Sequence, residues 1–231
     1  MHDENHIDRA ARRATLRKLA AAGALGAVGA GGMLGLIQRA LAAGSLPATP
    51  GIHHVKGPVM VDTTRASIGL VIRPGQTVTT GPGAEVVYIL GSDAFVQKEN
   101  SKVSFNDNTG AEVMRVITGT ILSVFGKGRR QLVTNTATIG IRGTGCYIEA
   151  EAARTYFCLC YGEAEVTPSG DPKQKETIRT THHDHPIYIN ASGDKIMAPA
   201  QIINHTDQEL VMLENLVGRW PPFYGKGGSK Y

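Results

Sequence analysis

The chain has 231 residues, 42% of them hydrophobic and 19% charged, with 24 Lys and Arg against 20 Asp and Glu. That balance excludes a disordered chain and supplies enough apolar material for one or two cored domains. Six of the basic residues (Arg9, Arg12, Arg13, Arg17, Lys18, Arg39) and three of the acids (Asp3, Glu4, Asp8) fall in the first 42 positions, leaving 18 against 17, so the basic character implies no nucleic-acid or anionic-membrane partner.

Arg12-Arg13, with the basic Arg17 and Lys18 close behind, introduces an uncharged run from Leu19 to Ile37, and Ala40-Leu41-Ala42 forms a small-x-small cleavage pattern. Twelve of the nineteen residues in that run are Ala or Gly, which makes it a poor anchor beside a Leu-rich helix of equal length. The paired arginines and weak hydrophobicity resemble a twin-arginine signal, with Thr15 where that motif prefers a bulky apolar residue. Residues 1–42 are therefore expected to be an export signal and residues 43–54 a linker, with the folded part in the periplasm or otherwise extracytoplasmic. The membrane is met only through this segment if it stays uncleaved.

From Ile52 to Pro168 short apolar runs alternate with turn residues. The runs are "GPVMVD", "SIGLVI", "TVTT", "AEVVYIL", "AFVQKE", "EVMRVI", "TILSVF", "QLVTN", "ATIGI", "GCYIEAE", "TYFCLCY" and "EAEVTP". "RPGQ", "GPGA", "NDNTG", "TGT" and "GKGRR" separate them and supply the fixed-φ and positive-φ positions of tight turns. Each run is too short for a helix, and none shows helical periodicity. The pattern predicts an all-β fold, a short-stranded sandwich, roll or solenoid.

The segments "RPGQTVTTGPGAEVVYIL", "EVMRVITGTILSVF", "VTNTATIGIRGTGCYIEAE" and "TYFCLCYGEAEV" follow, in that order, the pattern of the FecR domain, and the chain resembles that family over roughly residues 55 to 168. The most specific part is Thr136 to Thr144. The resemblance implies an all-β domain, here covering 55–198 with a His-containing extension. Some members of the family regulate sigma factors through a cytoplasmic N-terminal domain; here about seventeen residues precede the apolar run, too few for such a core. Within the signature, Gly140, Gly143 and Gly145 bracket Arg142 and Thr144, as expected where backbone packs closely around a buried arginine or hydroxyl. Arg142 reads as a residue tying loop carbonyls together rather than a catalytic one. No nucleophile elbow, phosphate loop or paired acidic motif is present to carry an enzyme class.

The run "FCLCYGEAEV" places Cys158 and Cys160 where a strand normally buries Val or Ile. A hairpin about Ala152-Ala153 would set Ile148 opposite Tyr156 and Cys146 opposite Cys158, with Cys160 on the same face. Three outcomes then stand open. The thiols are small buried hydrophobes, or Cys146 and Cys158 form a cross-strand disulfide, or the thiolates bind zinc or copper with help from imidazole. "TIRTTHHDHPIYIN" supplies that imidazole: residues 177–190 could pair beside the cysteine strand, with His183 and His185 pointing one way and His182 the other. The candidate ligand set is Cys146, Cys158, Cys160, His182, His183 and His185. His53 and His54 read as flexible surface residues, and His205 as incidental.

Beyond Ala198, Thr206 and Glu209 make a capping box, Leu210, Leu213, Leu216 and Val217 recur at helical spacing, and Gly218 with Pro221-Pro222 is a stop. One helix over about Asp207 to Val217 is predicted within a C-terminal segment 199–231. Trp220, Phe223 and Tyr224 would seal an end of the β domain, and the tail "GKGGSKY" is loose. The sequence thus reads as an exported, non-catalytic binding or assembly module with a cell-envelope protein as its partner. The alternative is a Cys/His metalloprotein, redox-active if its metal keeps an open position.

Overall fold

The computed structural model describes residues 32–43, 49–108 and 111–225. Most of the expected leader, and the tail beyond Gly225, lie outside those residues. Helix α1 spans Gly32–Ala43. No helix among the described residues is long and apolar enough to cross a membrane.

Fifteen strands follow: β1 (Gly51–Lys56), β2 (Val59–Val61), β3 (Thr64–Arg65), β4 (Thr77–Thr80), β5 (Glu85–Leu90), β6 (Asp93–Gln97), β7 (Lys102–Asn108) and β8 (Ala111–Val124), then β9 (Arg129–Val133), β10 (Ala137–Arg142), β11 (Gly145–Ala150), β12 (Arg154–Pro168), β13 (Glu176–Thr180), β14 (Ile187–Asn190) and β15 (Met197–Pro199). Helix α2 (Asp207–Leu216) closes the chain, with the expected capping box of Thr206 and Glu209 in place. The all-β class with one C-terminal helix is as the sequence predicts. Ordered strand nevertheless begins at Gly51, inside the expected linker, and His53 and His54 are strand residues of β1 rather than loose surface.

The architecture depends on two long strands that each serve two sheets. The N-terminal half of β8 pairs with β7 and β9, and its C-terminal half with β6 and β11. The first half of β12 pairs with β11 and β14, and its second half with β10 and β13. Each strand bends at a glycine, Gly119 (φ +84) in β8 and Gly162 (φ +100) in β12. A left-handed glycine lets one strand turn the corner between sheets without breaking. The ladder β8–β11–β12–β10–β9 then closes on itself, because β9 returns parallel to β8. The sandwich, roll and solenoid alternatives thus resolve into a five-strand closed barrel extended by further strands.

Strand alternation sorts the side chains. Tyr88, Phe95, Ile121, Cys146, Ile148, Phe157 and Leu159 point into the interior core. Their neighbours Val87, Val96, Leu122, Tyr147, Tyr156, Cys158 and Cys160 are buried as well but lie outside that core. Both faces of the sheet formed by β5, β6, β8, β11 and β12 are therefore covered, which is why these strands read as continuous apolar runs instead of alternating ones. The outer cover is C-terminal: α2 packs against β6 and β8, burying Leu210, Val211, Met212 and Leu213.

Candidate metal centre

The hairpin between β11 and β12 turns at Ala152-Ala153 as expected, with the Glu151 N–H donating to the Arg154 carbonyl at 2.9 Å. The register differs by one residue from the expected one. Tyr147 faces Cys158, Cys146 faces Leu159 and Ile148 faces Phe157. The reason is the two-residue turn closed by Glu151 and Arg154, where the expected pairing needed a three-residue loop. Since side chains alternate with period two, a slip of one residue reverses every facing. Cys146 therefore points into the barrel core, away from Cys158 and Cys160. All three cysteines are free, so of the three open outcomes the Cys146–Cys158 disulfide is not formed.

Cys146 is a packing atom. Burial, followed by the charge on Cys158, pushes its thiol well above the ordinary range. Cys146→Ala is expected to cost about 1 kcal/mol through a small void, while leaving metal content unchanged. Denaturant titration and elemental analysis of that variant check both halves of the statement.

Cys158 and Cys160 sit on the outer face, where two histidines reach them. Gly145 pairs with Tyr161 but Cys146 with Leu159, so Cys160 is the extra residue of a β-bulge. Its carbonyl accepts the His183 N–H at 3.0 Å. This bond anchors a turn at residues 181–185 between β13 and β14, both of which pair with the cysteine strand β12 as suggested for residues 177–190. The carboxylate of Asp184 holds the turn, accepting from Thr180 Oγ1 at 2.9 Å and from the Thr181 and His182 amides at 3.2 and 3.3 Å. Against a burial penalty, these bonds keep the Asp184 carboxyl below its usual value. His183 adopts φ +54. A left-handed non-glycine residue costs about 1–3 kcal/mol and persists where its surroundings demand it.

The fourth group is His205, from the segment ahead of α2. Its ring stacks on Tyr147, centroids 4.4 Å apart and planes 15° from parallel. Cys158, Cys160, His183 and His205 are all buried, and their four ligand atoms lie within 4.8 Å of one another. Among the measured separations, Cys158 Sγ to His183 Nδ1 is 3.5 Å and His183 Nδ1 to His205 Nε2 is 3.0 Å. A tetrahedral zinc with ordinary bond lengths places sulfur and nitrogen ligands about 3.5 Å apart and two nitrogens about 3.3 Å apart.

The outer nitrogens orient the two rings. His183 Nε2 lies 3.2 Å from Asp207 Oδ1, and His205 Nδ1 lies 2.6 Å from the Ile203 carbonyl. A carbonyl only accepts, and so does an ionised carboxylate; burial would raise the Asp207 carboxyl, but the hydrogen bond and charge of His182, with those of His183, hold it below its usual value. Those outer contacts aim His183 Nδ1 and His205 Nε2 at each other, and His183 Nδ1 also at Cys158 Sγ. A cation or a proton between them suits that 3.0 Å approach. A hydrogen bond from the Cys160 thiol, opposed by burial and joined by bonds from His183 and His205, holds Cys158 well below the ordinary thiol range. Burial, and then Cys158 itself, pushes Cys160 up. One thiolate, one thiol and two imidazoles thus converge on a single point.

The expected ligand set is accordingly corrected at four positions. Cys146 faces away, and His205, read as incidental, belongs to the cluster. His185 projects outward to Glu176 at 3.2 Å, its side chain 47% exposed. His182 stands one layer out, its Nε2 2.8 Å from Asp207 Oδ1 and its ring stacked on Phe223 at 4.2 Å. Asp207 is therefore shared by His182 and His183, the carboxylate–histidine arrangement that orients metal ligands.

The glycine signature encloses a buried hydroxyl, that of Thr144, and not a buried arginine. Arg142 is exposed rather than buried, at the end of β10 opposite Arg129, and ties no loop together. Gly140 lies within β10, Gly143 takes φ +59 in the turn to β11, and Thr144 is fully buried with its carbonyl accepting the Phe125 N–H at 2.8 Å. Phe223 packs on Tyr161 and His182 and helps seal the site, while Trp220 and Tyr224 stack on each other and stay partly exposed.

No protein-family model matches the chain, and no curated protein matches it. Among solved structures it is similar to two crystal structures described as a putative anti-sigma factor from Parabacteroides distasonis ATCC 8503, at 10% sequence identity with a TM-score of 0.46. The match covers 54% of this chain and 59% of that one, a distant likeness that assigns neither family nor activity.

Proposed function

We propose that this chain is an exported, non-catalytic β module of FecR-like type that holds one divalent metal ion of the zinc class at Cys158, Cys160, His183 and His205. The observation that carries the reading is the convergence of two thiols and two imidazole nitrogens within 4.8 Å of one another in a buried pocket. The donor set of two sulfurs and two imidazoles is a common structural zinc set. Charge favours a divalent ion over Cu(I): two thiolates neutralise M²⁺, whereas a monovalent ion leaves the buried centre with a net negative charge. Burial of all four ligands leaves no open position for substrate, which favours a structural role over a catalytic or redox one. The order of the FecR-like segments and the Ala- and Gly-rich leader support export to the cell envelope, where the module would meet a protein partner.

Elemental analysis of the purified protein tests the metal. The expected result is one zinc per chain, lost in Cys158→Ser/Cys160→Ser and kept in His185→Ala. A protein refolded with excess zinc that retains none, or a double variant with undiminished content, removes the reading.

A further inference from the structure

We propose that the metal acts as a clasp, its occupancy deciding whether residues 200–216 stay docked on the outer face of the sheet; the inference rests on the metal reading above and assigns its regulation. The ligands come from both sides of that contact. Cys158 and Cys160 belong to β12 and His183 to the turn anchored on it, whereas His205 belongs to the segment that leads into α2. Asp207, which orients His183, is the first residue of α2 itself. A metal bound here ties the helix to the sheet through one ligand and one ligand-orienting residue.

The surface under the clasp is not one that tolerates water. Val96, Leu122, Val124, Tyr147, Tyr156 and Cys158 are fully or almost fully buried although they face away from the barrel core. They are covered because the C-terminal segment lies over them.

The other ties of that segment are unevenly placed. Near the metal they are Tyr156 Oη to the Gln201 carbonyl at 2.9 Å, Asn204 Nδ2 to Glu149 Oε1 at 2.8 Å, Lys98 Nζ to the Asn204 carbonyl at 2.5 Å and to Glu209 Oε1 at 3.4 Å, and the Asp207 carboxylate to His182 and His183. At the far end, Tyr161 donates to the buried Glu214, which also pairs with Arg219, and Arg219 Nη1 donates to the Ser92 carbonyl at 2.7 Å. The ties of Gln201, Asn204 and Lys98 are polar bonds at partly exposed atoms, each of small net worth, and the Asp207 contacts run through the histidine turn that the metal itself engages. Without the ion, the two sulfurs of β12 and the His205 ring lose the one centre that joins the sheet to the segment ahead of α2. The end that opens is therefore the one carrying His205 and Asp207, while the Glu214–Arg219 end stays as the hinge.

Hydrogen exchange followed by mass spectrometry on the full chain tests the clasp, comparing zinc-loaded protein with protein stripped by chelator. Amides of residues 203–213 are expected to exchange at least about tenfold faster after stripping, those of β10 and β12 to hold, and added zinc to restore protection. Asp207→Asn is expected to weaken zinc binding about 10- to 100-fold and to give faster helix exchange at one fixed, limiting zinc concentration. If zinc binds and leaves stoichiometrically while helix exchange is unchanged, or rises equally throughout the barrel, the clasp is overturned and the metal site stands. If no zinc binds, both fall.

Discussion

Stripping zinc from the protein is expected to lower the midpoint of thermal unfolding by about 8–16 °C. The argument is one of linkage: an ion that binds the folded chain and not the unfolded one stabilises by RT ln(1 + [L]/Kd), about 4 kcal/mol at a thousandfold excess over Kd. For a chain of this size each kcal/mol moves the midpoint by about 2–4 °C. Binding energies of structural zinc sites are large enough to sustain such an excess at micromolar metal. Calorimetry with and without chelator reads the shift. The control is Cys158→Ser/Cys160→Ser, in which the increment between the two conditions should vanish whatever the variant's own baseline. The argument fails if wild-type melts coincide with and without metal, or if the double variant keeps its increment.

How much of this centre was legible in the sequence depends on what each residue's position rests on. Cys158 and Cys160 were legible because spacing of two on an apolar strand puts both on one face in any register. Cys146 was not, since its facing follows from the length of the turn at Ala152-Ala153, and neighbouring turn lengths give opposite answers. His183 was found within a conspicuous triplet, but the triplet is a turn held by Asp184, so His182 and His183 meet at Asp207 while His185 turns outward to Glu176. His205 gave no signal beyond lying just ahead of a capping box, because its role arises only when the segment ahead of α2 crosses the sheet and stacks it on Tyr147 of β11.

The fold shows the same division between local and non-local causes. The all-β class and the capped helix follow from turn residues, short apolar runs and the Thr206–Glu209 box. "SIGLVI" is apolar yet forms no strand; it makes a turn that leaves Ile68 and Val71 exposed while Leu70 pairs with Ile52. β7 was hidden by its polar "NDN" end. Closure of the barrel was not legible, because it requires β9 to lie parallel to β8, a pairing no single segment encodes.

The pairs read as separate strands, "EVMRVI" with "TILSVF" and "TYFCLCY" with "EAEVTP", are single bent strands, and their joints carry the second large prediction. Gly119→Ala is expected to destabilise the protein by about 3–5 kcal/mol, near the top of the range for one substitution. Two costs combine. Gly119 takes φ +84, where an L-residue loses about 1–2 kcal/mol. An added Cβ would also lie 2.4 Å from Ser101 Cα and 2.3 Å from its Oγ. Ser101 has little room to yield: its N–H donates to Thr80 Oγ1 at 3.0 Å, its carbonyl accepts from the Thr80 amide at 2.9 Å and Gln97 Nε2 at 3.1 Å, and its Oγ accepts the Thr120 N–H at 2.7 Å. Relieving the overlap means pulling apart the corner where β8 passes between sheets. Gly69 supplies the comparison, since it has nearly the same φ, +86, with nothing within 4 Å of an added Cβ. Gly69→Ala should therefore show the conformational cost alone, about 1 kcal/mol. Denaturant unfolding of both variants separates the terms, and equal losses at the two positions would mean that close approach at Ser101 is not what makes Gly119 necessary.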